Sequence, residues 1–288
     1  MIPDQRWLVT GAAGQLGREL QKYLGDREVI ARSREQLDIT SPEDVDEAVS
    51  AVSIVVNTAA WTAVDGAESH EDEARRVNAT GAENVARACA KHAALLVQLS
   101  TDYVFAGDAH APYAEGMPTQ PRTAYGRTKA AGERAVLRTL PDKAYVVRTA
   151  WLYGEHGDNF VRAMIALERQ RETIDVVVDQ RGQPTWSHDL ARQIVHLVDR
   201  RPPPGIYHGT SSGETTWFGL AQAVFSEIGA DPSRVLATTS EHFPRPAPRP
   251  AYSVLGHESW RTAGMAPMRH WREALSQAVP LLVRGEDS

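Results

Sequence analysis

The chain has 288 residues, 42% of them hydrophobic and 24% charged, an ordinary globular balance with ample material for a core. Its 31 basic and 37 acidic side chains leave a net charge of −6, which argues against a nucleic-acid binder and its basic field. A lone cysteine, Cys89, excludes an internal disulfide; no run reaches the roughly 20 apolar residues of a membrane span; and the start, MIPDQRWLVTG, has no signal-peptide core, so a cytoplasmic protein is expected.

In chain order, short apolar runs alternate with amphipathic segments. Strands are predicted at Trp7–Thr10, Glu28–Ala31, Ser53–Thr58, Ala94–Ser100 and Ala144–Ala150. Helices are predicted between them at Gln15–Leu24, Pro42–Ala51, Glu71–His92 and Thr123–Leu140. Strands separated by helices imply βαβ units and a parallel sheet covered on both faces. After Gly154 come a helix at Asn159–Arg171, a strand at Ile174–Asp179, a helix at His188–Val198, a strand-like piece at Ile206–His208 and a helix at Thr216–Ile228. The proline- and arginine-rich stretch Phe243–Pro250 reads as an extended loop before a last helix at Arg269–Val283. The expected architecture is α/β: a Rossmann-type doubly wound parallel sheet over residues 1–152, and a smaller C-terminal α/β substrate-binding domain over 153–288 whose later strands could return to the main sheet.

The first strand runs into Gly11-x-x-Gly14-x-x-Gly17 at the opening of a helix. Gly11 permits the tight turn, Gly14 lets backbone approach a pyrophosphate, and Gly17 lets helix and strand pack closely, while the first helical N–H groups face the anion. A dinucleotide is therefore expected. Arg32-Ser33-Arg34 after the second strand suits a 2′-phosphate, favouring NADPH and leaving NADH open. Tyr125 and Lys129, at i and i+4, share one helix face. A free phenol titrates near 10. A neighbouring ammonium and the oxidised cofactor's positive ring would pull it toward working pH, and the lysine can hold ribose hydroxyls. Thr101, at the end of the central strand, stands where open α/β sheets bind ligands and can bond both the phenol and a substrate carbonyl. His188-Asp189 reads as a helix cap and a surface charge, and no zinc motif is present, so no metal is expected.

Together these motifs resemble the extended short-chain dehydrogenases/reductases. Gly14-Gln15-Leu16-Gly17, Asn57 to Asp65, Ser100 to Phe105, Arg148 to Gly154, Asn159-Phe160-Val161 and Gln183-Pro184-Thr185 are similar to the dTDP-4-dehydrorhamnose reductase family over nearly the whole chain. The resemblance implies NADPH-dependent reduction of the C4 ketone of dTDP-4-dehydro-β-L-rhamnose to dTDP-L-rhamnose, the last step of dTDP-rhamnose synthesis. It implies Tyr125 as proton donor, Lys129 as its tuner and ribose ligand, and Thr101 as the residue orienting the carbonyl. For the cofactor it implies Gly11, Gly14, Gln15, Leu16 and Gly17 at the pyrophosphate, Asp38 and Ile39 at adenine, and Ala59, Ala60, Trp61 and Thr62 opposite. It places Asp102, Tyr103, Trp151, Asn159 and Arg249 at the sugar nucleotide. Arg181, Arg245 and Arg249 are candidate diphosphate ligands. The partner expected is a small dTDP-sugar rather than nucleic acid or membrane, and the chain is expected to be a monomer or homodimer. Some relatives dimerise through magnesium held by carboxylates, and no matching motif is found. Two alternatives stand beside this reading: a reductase of another dTDP-4-keto-6-deoxysugar, and a non-catalytic regulatory subunit like that of methionine adenosyltransferase, against which intact Tyr125, Lys129 and Thr101 argue.

Overall fold

The computed structural model describes residues 5–284; residues 1–4, where the expected leaderless start begins, and 285–288 lie outside the described residues. In chain order the main elements are β1 (Trp7–Thr10), α1 (Gln15–Leu24), β2 (Val29–Arg32), α2 (Pro42–Ser50), β3 (Ile54–Asn57), α3 (Glu71–Arg75) and α4 (Ala82–Lys91). They continue with β4 (Leu95–Thr101), α5 (Ala124–Thr139), β5 (Ala144–Thr149), α6 (Phe160–Gln170), β6 (Ile174–Val177), α7 (Ser187–Arg200) and β7 (Gly205–His208). Then come α8 (Trp217–Glu227), β8 (Val235–Thr238) and α9 (Trp271–Arg284).

Six parallel strands form one sheet in the order β7-β5-β4-β3-β1-β2. The chain leaves β1 toward β2 and then crosses to β3 on the other side, so a crevice opens between the C-terminal ends of β1 and β3. Alternation assigns the faces. Trp7, Val9, Ile54 and Val56 pack with Leu16 and Leu20 of α1 and with Leu190 and Ile194 of α7. Leu8 and Val55 pack on the opposite side with Val45 of α2, Val85 of α4 and Val136 of α5. α7 and β7 thus return to the main sheet. A second core gathers Met164, Ile165, Val176, Phe225, Trp271 and Leu275 around α6, α8 and α9, beside the two-stranded pair β6–β8.

Predicted and observed boundaries differ informatively. The long helix expected at Glu71–His92 is interrupted by a π-helical turn at Arg76–Gly81, a distortion that accompanies functional sites. There the Asn78 side chain accepts from the Trp61 N–H at 2.9 Å, donates to the Trp61 carbonyl at 3.1 Å and donates to Thr128 Oγ1 at 3.1 Å. It thereby clips the segment after β3 to α5. Asp189, expected as a surface charge, is fully buried and accepts two bonds from Arg269, at 2.7 and 2.9 Å. A buried carboxylate demands such a partner, and the pair fastens α7 to the segment ahead of α9.

Candidate active site

A cavity of about 1390 Å³ opens along the C-terminal ends of the strands and runs on into the second core. A pocket for one drug-sized ligand spans roughly 300–1,000 Å³, so this volume has room for a dinucleotide and a second ligand side by side.

The cofactor end is built from the β1–α1 turn. Gly11 has φ +64°, and a Cβ there would lie 2.7 Å from the Ala59 nitrogen, so glycine alone lets the loops after β1 and β3 touch. Helix α1 starts at Gly14 with no side-chain cap and no acid in its first turn, unlike α2, whose Ser41 caps it ahead of Glu43 and Asp44. Its first N–H groups and macrodipole are left for an anion. Gln15 Nε2 is buried there without a hydrogen-bond partner. An uncapped helix N-terminus behind a glycine turn fits a pyrophosphate.

Gly11, Gly14, Gln15, Leu16, Asp38, Ile39, Ala59, Ala60, Trp61 and Thr62 all line this cavity. Three expected cofactor residues do not. Gly17 walls no part of it; a Cβ there would lie 2.5 Å from the Gly11 carbonyl oxygen, so its task is helix-to-turn packing. Arg32 is absorbed into β2, in register with Thr10, and is exposed away from the cavity. Ser33 turns inward on its own loop, its hydroxyl donating to Glu35 at 2.6 Å. Arg34 lines the cavity instead, as does Arg76 at the π-helical turn, which no sequence pattern singled out.

The reactive centre lies where β4 ends. Thr123 Oγ1 caps α5 by accepting from the Gly126 N–H at 3.0 Å, fixing the helix that carries Tyr125 and Lys129 one turn apart. Both line the cavity with Thr101, Asp102 and Tyr103. Lys129, 4% exposed, donates to the Leu99 carbonyl at 2.6 Å. Burial pulls its ammonium down to about 8, against the opposing charge of Glu133. Glu133 in turn accepts from Arg148 at 2.9 and 2.7 Å and from Ser100 at 2.5 Å, so the buried charges are paired.

Burial pushes the Tyr125 phenol up to about 12; the Thr101 hydroxyl pulls it down and Asp102 raises it again. Desolvation therefore dominates in the free protein, where the Lys129 ammonium donates to the Leu99 carbonyl; the expected pull toward working pH included the oxidised cofactor's positive ring. A neutral phenol is nonetheless the form a proton donor needs. Asp102, itself buried, accepts from Thr101 at 3.0 Å through one oxygen, and the buried Ser253 hydroxyl acts on the same carboxylate. Desolvation lifts its carboxyl to about 6.

Further along, Trp151 holds a left-handed φ of +45° and stacks on Trp217 at 3.6 Å between centroids, with 10° between planes. For a non-glycine residue this conformation costs about 1–3 kcal/mol and clusters at functional sites. Trp217, Phe160, Met164, Val176 and Gln180 continue the wall as a mostly apolar chamber, assembled from segments too distant in sequence for any local pattern. Arg245 and Arg249 line the cavity. Arg181, a candidate diphosphate ligand, lines a separate small cleft and not the main cavity, and pairs with Glu214 at 3.0 Å. Asn159 is also outside the cavity: it caps α6 by accepting from the Arg162 N–H at 3.1 Å and donates to the Gly154 carbonyl at 2.9 Å. Among the described residues no group of three or more His, Cys, Asp or Glu side chains could hold a metal, and no helix is long and apolar enough to cross a membrane.

A doubly wound sheet with a glycine turn at its switch point and a Thr–Tyr–Lys set at the next strand end defines a nicotinamide-dependent oxidoreductase of the short-chain dehydrogenase/reductase type. A family model for the RmlD substrate binding domain matches residues 5–283, and the chain belongs to that family. It is 53% identical to a dTDP-4-keto-6-deoxy-D-glucose reductase of Streptomyces niveus, over 96% of this chain and 97% of that one. It is also 53% identical to a dTDP-4-dehydrorhamnose reductase of Streptomyces griseus, over 97% and 95%. Among solved structures, a dTDP-4-dehydrorhamnose reductase of Bacillus anthracis in complex with NADP superposes with a TM-score of 0.93 at 39% identity, covering 96% of this chain and 99% of that one.

Proposed function

We propose that this protein uses NADPH to reduce the C4 ketone of dTDP-4-dehydro-β-L-rhamnose to dTDP-L-rhamnose. The observation that carries the reading is Tyr125, Lys129 and Thr101 meeting on one wall of a cavity whose other end is an uncapped helix N-terminus. NADPH, when bound, supplies the hydride to C4. The chain does the rest. Thr101 orients the ketone oxygen, and Tyr125, neutral at working pH, gives that oxygen its proton. Lys129 stabilises the resulting phenolate and holds the nicotinamide ribose, and a solvent proton restores the phenol. Gly14, Gln15 and Leu16 bind the pyrophosphate, Arg34 the 2′-phosphate, and Asp38 with Ile39 the adenine. Asp102, buried on the cavity wall, receives a sugar hydroxyl. Tyr103 and Trp151 flank the sugar and Arg249 the diphosphate. Residues 153–288 supply mainly the sugar-nucleotide side, and the protein works in the cytoplasm as a monomer or homodimer.

A second reading follows from equal likeness to relatives named for different ketosugars: reduction of another dTDP-4-keto-6-deoxysugar. The test is NADPH oxidation compared across enzymatically prepared dTDP-4-dehydro-β-L-rhamnose and its C3 and C5 epimers or deoxy analogues. Preference for the rhamnose precursor supports the first reading; preference for another ketosugar replaces it with the second.

A further inference from the structure

We propose that Asp65 is a positioning residue that fixes Arg249 and its loop so that the guanidinium meets a nucleoside diphosphate; the inference rests on the dTDP-sugar reading above. Asp65 follows Val64, which lines the cavity, in the single turn Val64–Ala67. Its Oδ2 accepts from Arg249 Nη2 at 2.7 Å and its Oδ1 accepts from the Ala247 N–H at 3.2 Å. Arg249 Nη1 donates back to the Ala247 carbonyl at 3.0 Å.

The composition of the loop explains why it needs an outside hold. Prolines at 244, 246, 248 and 250 remove every second backbone donor, so the stretch cannot tie itself into a sheet or helix. Among the described residues, Asp65 is the one outside side chain bonded to residues 244–250. With one N–H of each terminal nitrogen engaged, three of the five guanidinium N–H groups, the Nε–H among them, are left for phosphate oxygens. Arg245, whose charge also acts on Asp65, lines the same wall. An ordered arginine loses less freedom on binding than one on a free loop.

Charge alone predicts the opposite sign, because removing a carboxylate beside an anion site should tighten anion binding. The two accounts are therefore separable. Calorimetric titration of the full-length protein with dTDP and with thymidine would be run on wild type, Asp65→Ala and Asp65→Asn. Asp65→Ala is expected to weaken dTDP about tenfold while thymidine changes less than about twofold, with the ketosugar KM rising and the NADPH KM unmoved. Asp65→Asn, which can still accept from Ala247 but carries no charge, should fall between. In an Arg249→Met background Asp65→Ala should add nothing. Unchanged or tighter dTDP binding by Asp65→Ala overturns the proposal, as does an equal loss for thymidine, which would mark general damage. A wild type that binds no dTDP at all defeats the dTDP-sugar reading itself and this inference with it.

Discussion

Replacing Lys129 with methionine should stabilise the free protein and cripple its chemistry. Burial lowers the Lys129 ammonium from 10.5 to about 8, and at 1.36 kcal/mol per unit the folded state forfeits about 3 kcal/mol at neutral pH by holding that charge. Methionine is of similar length and needs no solvation. The substitution deprives the Leu99 carbonyl of one donor, a loss of about 1 kcal/mol, while Gln98 Nε2 still donates to it at 2.9 Å. It leaves Glu133 its bonds from Arg148 and Ser100. The balance is a gain of about 2 kcal/mol at pH 7. The sign with pH follows from proton counting. Between about 8 and 10.5 the unfolded chain keeps a proton that the folded lysine has released, so wild-type stability climbs through that window and the variant's lead shrinks. Urea unfolding of both proteins without ligands, at pH 7 and again near the top of the window, measures the difference directly. A variant less stable than wild type at pH 7, or a lead independent of pH, would refute the reasoning.

Three further outcomes are expected. Asn159→Ala should cost about 1 kcal/mol of stability through the lost α6 cap, read by denaturant titration, with the ketosugar KM unchanged because the side chain is outside the cavity. Arg34→Met should erase most of any preference for NADPH over NADH, whereas Arg32→Met should not, a contrast read from the ratio of kcat/KM for the two cofactors. Gly17→Ala, whose new methyl would meet backbone atoms at 2.5 and 2.8 Å, should destabilise by about 1–3 kcal/mol and weaken NADPH binding without touching it, as thermal melts with and without NADPH would record.

Local sequence pattern carried the part of the fold that is locally determined. Trp7–Thr10 and Gln15–Leu24 fall where strand periodicity and the glycine turn put them, and the i, i+4 spacing of Tyr125 and Lys129 does place both on the cavity wall. What failed did so for reasons of a residue or two, or of distance. Ending β2 at Arg32 rather than Ala31 commits that arginine to the strand and leaves Arg34 to line the cavity. Asn159 stands directly before an apolar helical run, the signature of a cap, and its backbone duty pre-empts a ligand role. The π-helical turn leaves no periodic signal, since a single extra residue in a helix resembles an ordinary one. The chamber beyond Trp151 joins side chains from α6, β6, α8 and the 243–250 loop, a long-range assembly that local periodicity does not encode.

The central claim is that a partly buried, neutral phenol hands its proton to a ketone as hydride arrives. Its most direct test is single-turnover oxidation of NADPH by dTDP-4-dehydro-β-L-rhamnose, comparing wild type with Tyr125→Phe at saturating concentrations of both ligands. Loss of the donor should slow the chemical step by about a hundred- to ten-thousand-fold while both ligands still bind. A phenylalanine variant that turns over at the wild-type rate would contradict it.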